Sequence, residues 1–170
     1  MPDDKHDRIH ERHRPPIQLD KSRELVLVAP PMRSNVNLSR IVRAASCCGV
    51  TRIVACGNPK IDPKIARDGI DQVKLEVRRS MPPALQTLKK DGFQIVGLEQ
   101  TNDSVCIYEY PFIRRTALVI GHERHGITDD CLPLLDAAVE IPVYGMPFSY
   151  NAATATSMAL YEFCRQFPNG

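Results

Sequence analysis

The stretch ELVLVAPPMRSNVNLSRIVRAASCCGVTRIVACG, Glu24 to Gly57, decides how this chain folds. Glu24–Pro30 is a short β-branched apolar run, as a buried strand requires. Leu38, Ile41, Val42 and Ala45 then recur at i, i+3, i+4 and i+7, marking one face of a helix that ends at Gly49. Arg52–Gly57 is a second strand. The alternation continues outward. Val73–Val77 reads as a third strand, and Pro82–Gly92 as a helix with proline at its start and glycine at its end. Phe93–Glu99 and Thr116–Gly121 are further strands, Asp129–Asp136 a short helix and Ala138–Ile141 a last short strand. The tail closes as a helix rich in Ala, Met, Leu and Tyr, opened by Ser149 or Asn151 as N-cap. Strands and helices in alternation predict an α/β domain around a mostly parallel sheet.

A chain of 170 residues predicts one domain, able to bury about two thirds of its unfolded surface. No apolar run approaches membrane-spanning length, and the polar N-terminus has no signal-peptide core. These features predict a cytoplasmic protein with no membrane association. The six cysteines show no C-x-x-C spacing and read as small buried hydrophobes. His-Glu-Arg-His occurs at His10–His13 and again at His122–His125, but neither is H-E-x-x-H, so no metal site is expected. Residues 1–23 are charged and close on Pro15–Pro16. They are expected to form an N-terminal extension, either a mobile arm or a poorly packed first helix, ahead of a folded domain over 24–170.

The net charge of +2 decides little, whereas its distribution is informative. Between Glu24 and Asp62 stand five cations (Arg33, Arg40, Arg43, Arg52, Lys60) and no anion, a local excess that suits an anionic partner.

Three segments can carry chemistry. On the early helix, Asn37, Arg40 and Arg43 lie off the apolar stripe, and Arg40 and Arg43 share a ridge at i, i+3. After the Thr116–Gly121 strand, Gly121 and Gly126 have the G-x-x-x-x-G separation of a phosphate loop. Ile127 stands where such a loop needs lysine, and no G-x-G-x-x-G follows a strand, which disfavours a generic nucleotide-binding protein. What remains is a strand-end loop bearing Glu123, where α/β proteins bind ligands. Last, Pro142, Gly145 and Pro147 break the backbone of IPVYGMPFSYN before Ser149 and Asn151, leaving a loop of the kind that forms binding surface.

Together, an N-x5-R helix, a strand-end G-x-E-x-x-G and an I-P-x-x-G-x3-S-x-N loop resemble the three motifs of the SpoU family. Its members are S-adenosyl-L-methionine-dependent RNA ribose 2′-O-methyltransferases of the knotted SPOUT class. The resemblance spans about Glu24 to Arg165. It implies an α/β fold with a deep C-terminal trefoil knot, an exception to the usual rule against threading. It implies S-adenosyl-L-methionine as cofactor, held around Leu98, Gly121, Ile141, Gly145, Ser149, Tyr150 and Asn151. It also implies a catalytic set of Asn37, Arg43, Glu123, Ser149 and Asn151, and a homodimer that completes the site across its interface. The stretch GLEQTNDS, Gly97–Ser104, with the compact domain, resembles the transfer-RNA guanosine enzymes that act in the D-loop, which implies transfer RNA as partner. The alternatives are a ribosomal-RNA 2′-O-methyltransferase, or a non-catalytic RNA-binding or ribosome-assembly factor with the same fold.

Overall fold

The computed structural model describes residues 9–170. Its first unit is the predicted one: strand β1 (Val26–Ala29), helix α1 (Asn35–Cys47) and strand β2 (Arg52–Cys56). Two short helices, α2 (Pro63–Ala66) and α3 (Gly69–Gln72), lead to strand β3 (Lys74–Arg78). Helix α4 (Met81–Lys90) and strand β4 (Gln94–Leu98) follow, then a two-residue strand β5 (Val105–Cys106) and strand β6 (Thr116–Ile120). A 3-10 turn over Leu132–Leu134, strand β7 (Ala137–Glu140) and helix α5 (Ala152–Gln166) complete the chain.

The strands form one sheet in the order β3-β2-β1-β6-β4-β7-β5, and every pairing is parallel. Parallel sheets are buried on both faces, which is why the central strands are apolar throughout rather than alternating. In β1 the pleat divides the side chains. Leu27 and Ala29 join Ile41, Val42, Leu160 and Phe163 beneath α1 and α5, whereas Val26 and Val28 join Leu85, Leu88 and Ile95 beneath α4. The edge strand β3 is treated differently. Its Glu76 sits among Arg52, Lys74 and Arg78, and charge along an exposed edge discourages pairing with other chains.

Three local readings change. The tail helix is capped by Asn151, whose side-chain oxygen accepts from Ala153 N–H at 2.9 Å and Thr154 N–H at 3.3 Å, so Ser149 stays in the loop. Asp129–Asp136 forms only a 3-10 turn, because Asp136 leaves the helical path to pair with β4. Its N–H donates to Ile95 O at 2.7 Å and its carboxylate accepts from Ile95 N–H at 2.8 Å. Residues 9–23 contain no helix. Their last part is tied to the C-terminus instead: Asp20 N–H donates to Asn169 O, and the Arg23 guanidinium donates to Cys48 O and Phe167 O, both at 2.6 Å.

Two features prepare the site. Residues 107–112 cross over α5, where the Gln166 amide accepts from Phe112 N–H and donates to Tyr110 O, both at 2.9 Å. Phe112 meets Phe163 edge-on at 5.7 Å beneath that crossing. Strand β7 pairs with both β4 and β5, so the C-terminal ends of β4, β6 and β7 lie side by side with the start of α5.

Candidate active site

Glu123 stands in the turn after β6, where His122 and Gly126 form an antiparallel bridge. Its carboxylate is held by the entrance to α1. Oε1 accepts from Ser34 N–H at 3.0 Å and the Asn37 amide at 3.3 Å, and Oε2 accepts from Arg33 N–H at 3.2 Å. Two of those donors, Arg33 and Ser34, are backbone N–H groups at the entrance to a helix, a natural seat for an anion. Burial alone would raise the Glu123 pKa, but these hydrogen bonds, with one from its own backbone, outweigh it and hold the carboxyl below the ordinary 4.5.

Asn37 carries the connection onward. Its side-chain oxygen accepts from the Asn151 amide at 3.2 Å, while the Asn151 oxygen caps α5. One chain of hydrogen bonds therefore links Glu123 after β6, Asn37 on α1 and Asn151 at the head of α5. Asn37 is off the apolar stripe as expected, yet it is buried at 8% exposure, because the two loops close over it. Arg43 behaves otherwise. It is exposed, six residues and about 9 Å further along α1. Among the described residues no hydrogen bond or ion pair joins it to the network.

Beside the network lie two adjoining cavities of about 110 and 220 Å³, together reaching the lower end of the range of about 300–1,000 Å³ usual for small-molecule sites. Leu98, Glu99, Ser149, Tyr150 and Ala155 line both; Ile141 lines the smaller, and Gly121 and Glu123 the larger. Gly145 is in the exposed loop, with nothing within 4 Å of where a Cβ would stand. The residue that sequence reading missed is Glu99. Its Oε2 accepts from Ile127 N–H at 2.8 Å and its Oε1 from Gln100 N–H at 3.1 Å, so it ties the end of β4 to the Glu123 turn. Its placement at the C-terminal end of a parallel strand was the available signal. A larger depression of about 740 Å³ by Thr51, Asp71 and Glu76 opens on the edge strand, away from these groups.

Residues 24–161 match the SpoU rRNA Methylase family. The chain belongs to that family. It is 31% identical over 150 residues to the tRNA (guanosine(18)-2′-O)-methyltransferase of Aquifex aeolicus, covering 86% of this chain and 71% of that one. It is also 31% identical to the Escherichia coli K12 enzyme of the same name, spanning 78% of this chain and 59% of the relative. A 23S rRNA (guanosine-2′-O-)-methyltransferase of Acinetobacter baylyi matches at 26% over 95% of this chain and 67% of its own. The A. aeolicus TrmH/SpoU tRNA modifying enzyme superposes with a TM-score of 0.82 at 29% identity, over 88% of this chain and 78% of that one. The AviRb methyltransferase of Streptomyces viridochromogenes, solved in complex with AdoMet, superposes at 0.75 and 25% identity, over 91% and 64%. The chain is thus an S-adenosylmethionine-dependent RNA 2′-O-methyltransferase of the SpoU family, with the α/β-knot fold of that class.

The residues present fit the cofactor. Leu98 and Ile141 give apolar walls, Gly121 and Ala155 leave room, and the pocket floor is the ends of parallel strands, where backbone groups are available to a ligand. Bound there, S-adenosylmethionine would supply an electrophilic methyl group.

Proposed function

We propose that the chain methylates a guanosine ribose 2′-hydroxyl in the D-loop of transfer RNA, acting in the cytoplasm as a homodimer. The observation that carries it is the Glu123–Asn37–Asn151 hydrogen-bond chain, which brings all three motif segments together beside the cavities. Transfer RNA is favoured because the named transfer-RNA relatives in Aquifex and E. coli stand at 31% identity and the ribosomal-RNA relative at 26%. Six free cysteines suit a reducing compartment, and among the described residues no helix is long and apolar enough to cross a membrane. Residues 24–170 form the catalytic domain in this reading, with 1–23 as its extension.

In the site, Glu123 fixes Asn37, and through it Asn151, while Ser149 and Asn151 hold the loop against the substrate hydroxyl. Arg43, outside the network, reaches the RNA. A guanidinium keeps its proton, so Arg43 serves the developing alkoxide and grips a neighbouring phosphate, which can accept the proton. Labelled-methyl transfer to transfer RNA lacking 2′-O-methylation, followed by mapping of the labelled ribose, tests the reaction. Label confined to ribosomal RNA would reverse the substrate choice. Arg43→Ala is expected to lower kcat by about 10²–10³-fold with unchanged cofactor affinity. Near-parental rates in Arg43→Lys would defeat the bidentate grip.

The dimer rests on uncovered apolar surface. Tyr144 is 88% exposed, Tyr161 on α5 76%, and Met146 and Phe148 75% each. Large apolar residues left this open in one small domain suit an interface. Tyr161→Arg is expected to shift the sedimentation coefficient to that of a monomer. A parental chain that already sediments as a monomer would count against the dimer.

A further inference from the structure

We propose that an exposed ridge of cations running from α1 onto α2 is a track for the RNA backbone leading away from the reacting nucleotide, with Arg67 as its outer anchor. This rests on the RNA-methyltransferase reading above and identifies the surface that holds the remainder of the substrate.

Arg40 and Arg43 project from the exposed side of α1, and Lys60, Lys64 and Arg67 are likewise exposed on the segment that follows β2. That segment is pressed against α1. The buried Ser39 hydroxyl accepts from Asp62 N–H at 2.8 Å, and a Cβ at Gly69 would stand 3.3 Å from the Arg43 Cα. The two groups of cations therefore belong to one surface. Among the described residues none of the five is in an ion pair, whereas Arg52, Lys74 and Arg78 are committed to Glu76, Lys89 to Asp136 and Arg115 to Glu24. Asp62, the acid within this stretch, is occupied as N-cap of α2, accepting from Lys64 N–H at 2.9 Å. Asp68 and Asp71 bound the ridge on the side of α3. Uncommitted cations in a row, whose one interleaved carboxylate is engaged as a helix cap, fit a phosphate backbone.

Arg67 supplies a second observation. It ends α2 with φ 52° and ψ −144°, a conformation that L side chains rarely adopt. Glycine would occupy that corner without strain, so arginine contributes nothing to the turn itself. A strained backbone conformation at a residue other than glycine points to a working position. Here the side chain is an exposed guanidinium two residues before Gly69, which packs on the Arg43 backbone.

The test uses the full chain with unmodified transfer RNA. Affinity is followed by fluorescence anisotropy across a salt series, cofactor binding by calorimetry and folding by thermal denaturation. Arg67→Gly is expected to raise the melting midpoint, leave cofactor affinity unchanged and weaken RNA binding about 5–10-fold near 0.1 M salt. The slope of log K against log salt should shrink by about 0.7–0.9, one phosphate contact, and by about twice that when Lys64→Ala is added. A raised midpoint with unchanged affinity and slope would make Arg67 a purely structural oddity and overturn the track. Failure of the parental chain to bind or methylate transfer RNA is a separate result, which would overturn the transfer-RNA reading and this track with it.

Discussion

Glu123→Gln is expected to lower methyl transfer by about 100-fold while leaving the fold intact. The substitution preserves shape, so its effect isolates hydrogen-bond character. The native carboxylate accepts on both oxygens, from Arg33 N–H on one and from Ser34 N–H and the Asn37 amide on the other. A glutamine turns one of those acceptors into an NH₂ group facing an N–H donor. At least one bond is lost and a buried donor is left unpaired, a change worth about 1–3 kcal/mol. For a domain of this size that is roughly 2–4 °C in midpoint per kcal/mol. The larger loss is in rate. Asn37 no longer has a fixed partner, Asn151 follows it, and a displacement of about 1 Å at a site that works by alignment can lower the rate about 100-fold.

The same residue predicts a pH dependence. Because its folded-state pKa is held below 4.5, the carboxylate stabilises the fold fully above that value. This contribution is lost as pH falls through the lower, folded-state value. The glutamine variant has no such contribution to lose. The midpoint difference between parent and variant should therefore be widest near neutrality and narrow in acid. Thermal denaturation at pH 7 and pH 4 with initial rates at pH 7 checks both parts. Parental rate and midpoint in the variant would mean that the network is incidental to the site.

How much of this constellation was legible in the sequence follows from how it is built. Asn37, Glu123 and Asn151 each sit at the head of an element or just after one, so strand and helix signals placed them without three-dimensional information. Their mutual contact was beyond sequence reading, because it depends on loops brought together from positions 86 and 114 residues away from Asn37. The burial of Asn37 was missed for the same reason: helical periodicity describes one helix against a core, not two loops closing over its first turn. Glu99 was hidden by its place at the end of an apolar run. The helices α2 and α3, at four residues each, are too short to display a period. The reduction of Asp129–Asp136 to a 3-10 turn came from Asp136, whose carboxylate satisfies the backbone of β4 and so prevails over local helix preference.

Gly126→Ala is the substitution expected to damage the fold of the site most. Two separate effects meet there. Gly126 has φ +64°, a conformation strained for alanine. A Cβ would also collide with Glu99 Oε2, so the carboxylate must move. That oxygen accepts from Ile127 N–H, and displacing it breaks a charge-assisted bond between β4 and the Glu123 turn. Adding about 1 kcal/mol of backbone strain to about 1.5–3 kcal/mol for the bond predicts roughly 2.5–4 kcal/mol of destabilisation. Cofactor affinity should fall as well, since Glu99, Gly121 and Gly126 all line the larger cavity. A second variant separates the two effects. Asparagine tolerates positive φ far better than alanine but carries the same Cβ. If backbone strain dominates, Gly126→Asn will recover most of the lost midpoint; if the collision with Glu99 dominates, it will be as unstable as Gly126→Ala. Glu99 can swing its carboxylate aside only by giving up the bond to Ile127 N–H, and that loss, larger than the backbone strain, favours the second outcome. Thermal denaturation of the two variants, with calorimetric titration of S-adenosylmethionine, decides it. Unchanged midpoint and affinity in Gly126→Ala would show that Glu99 does not brace the turn.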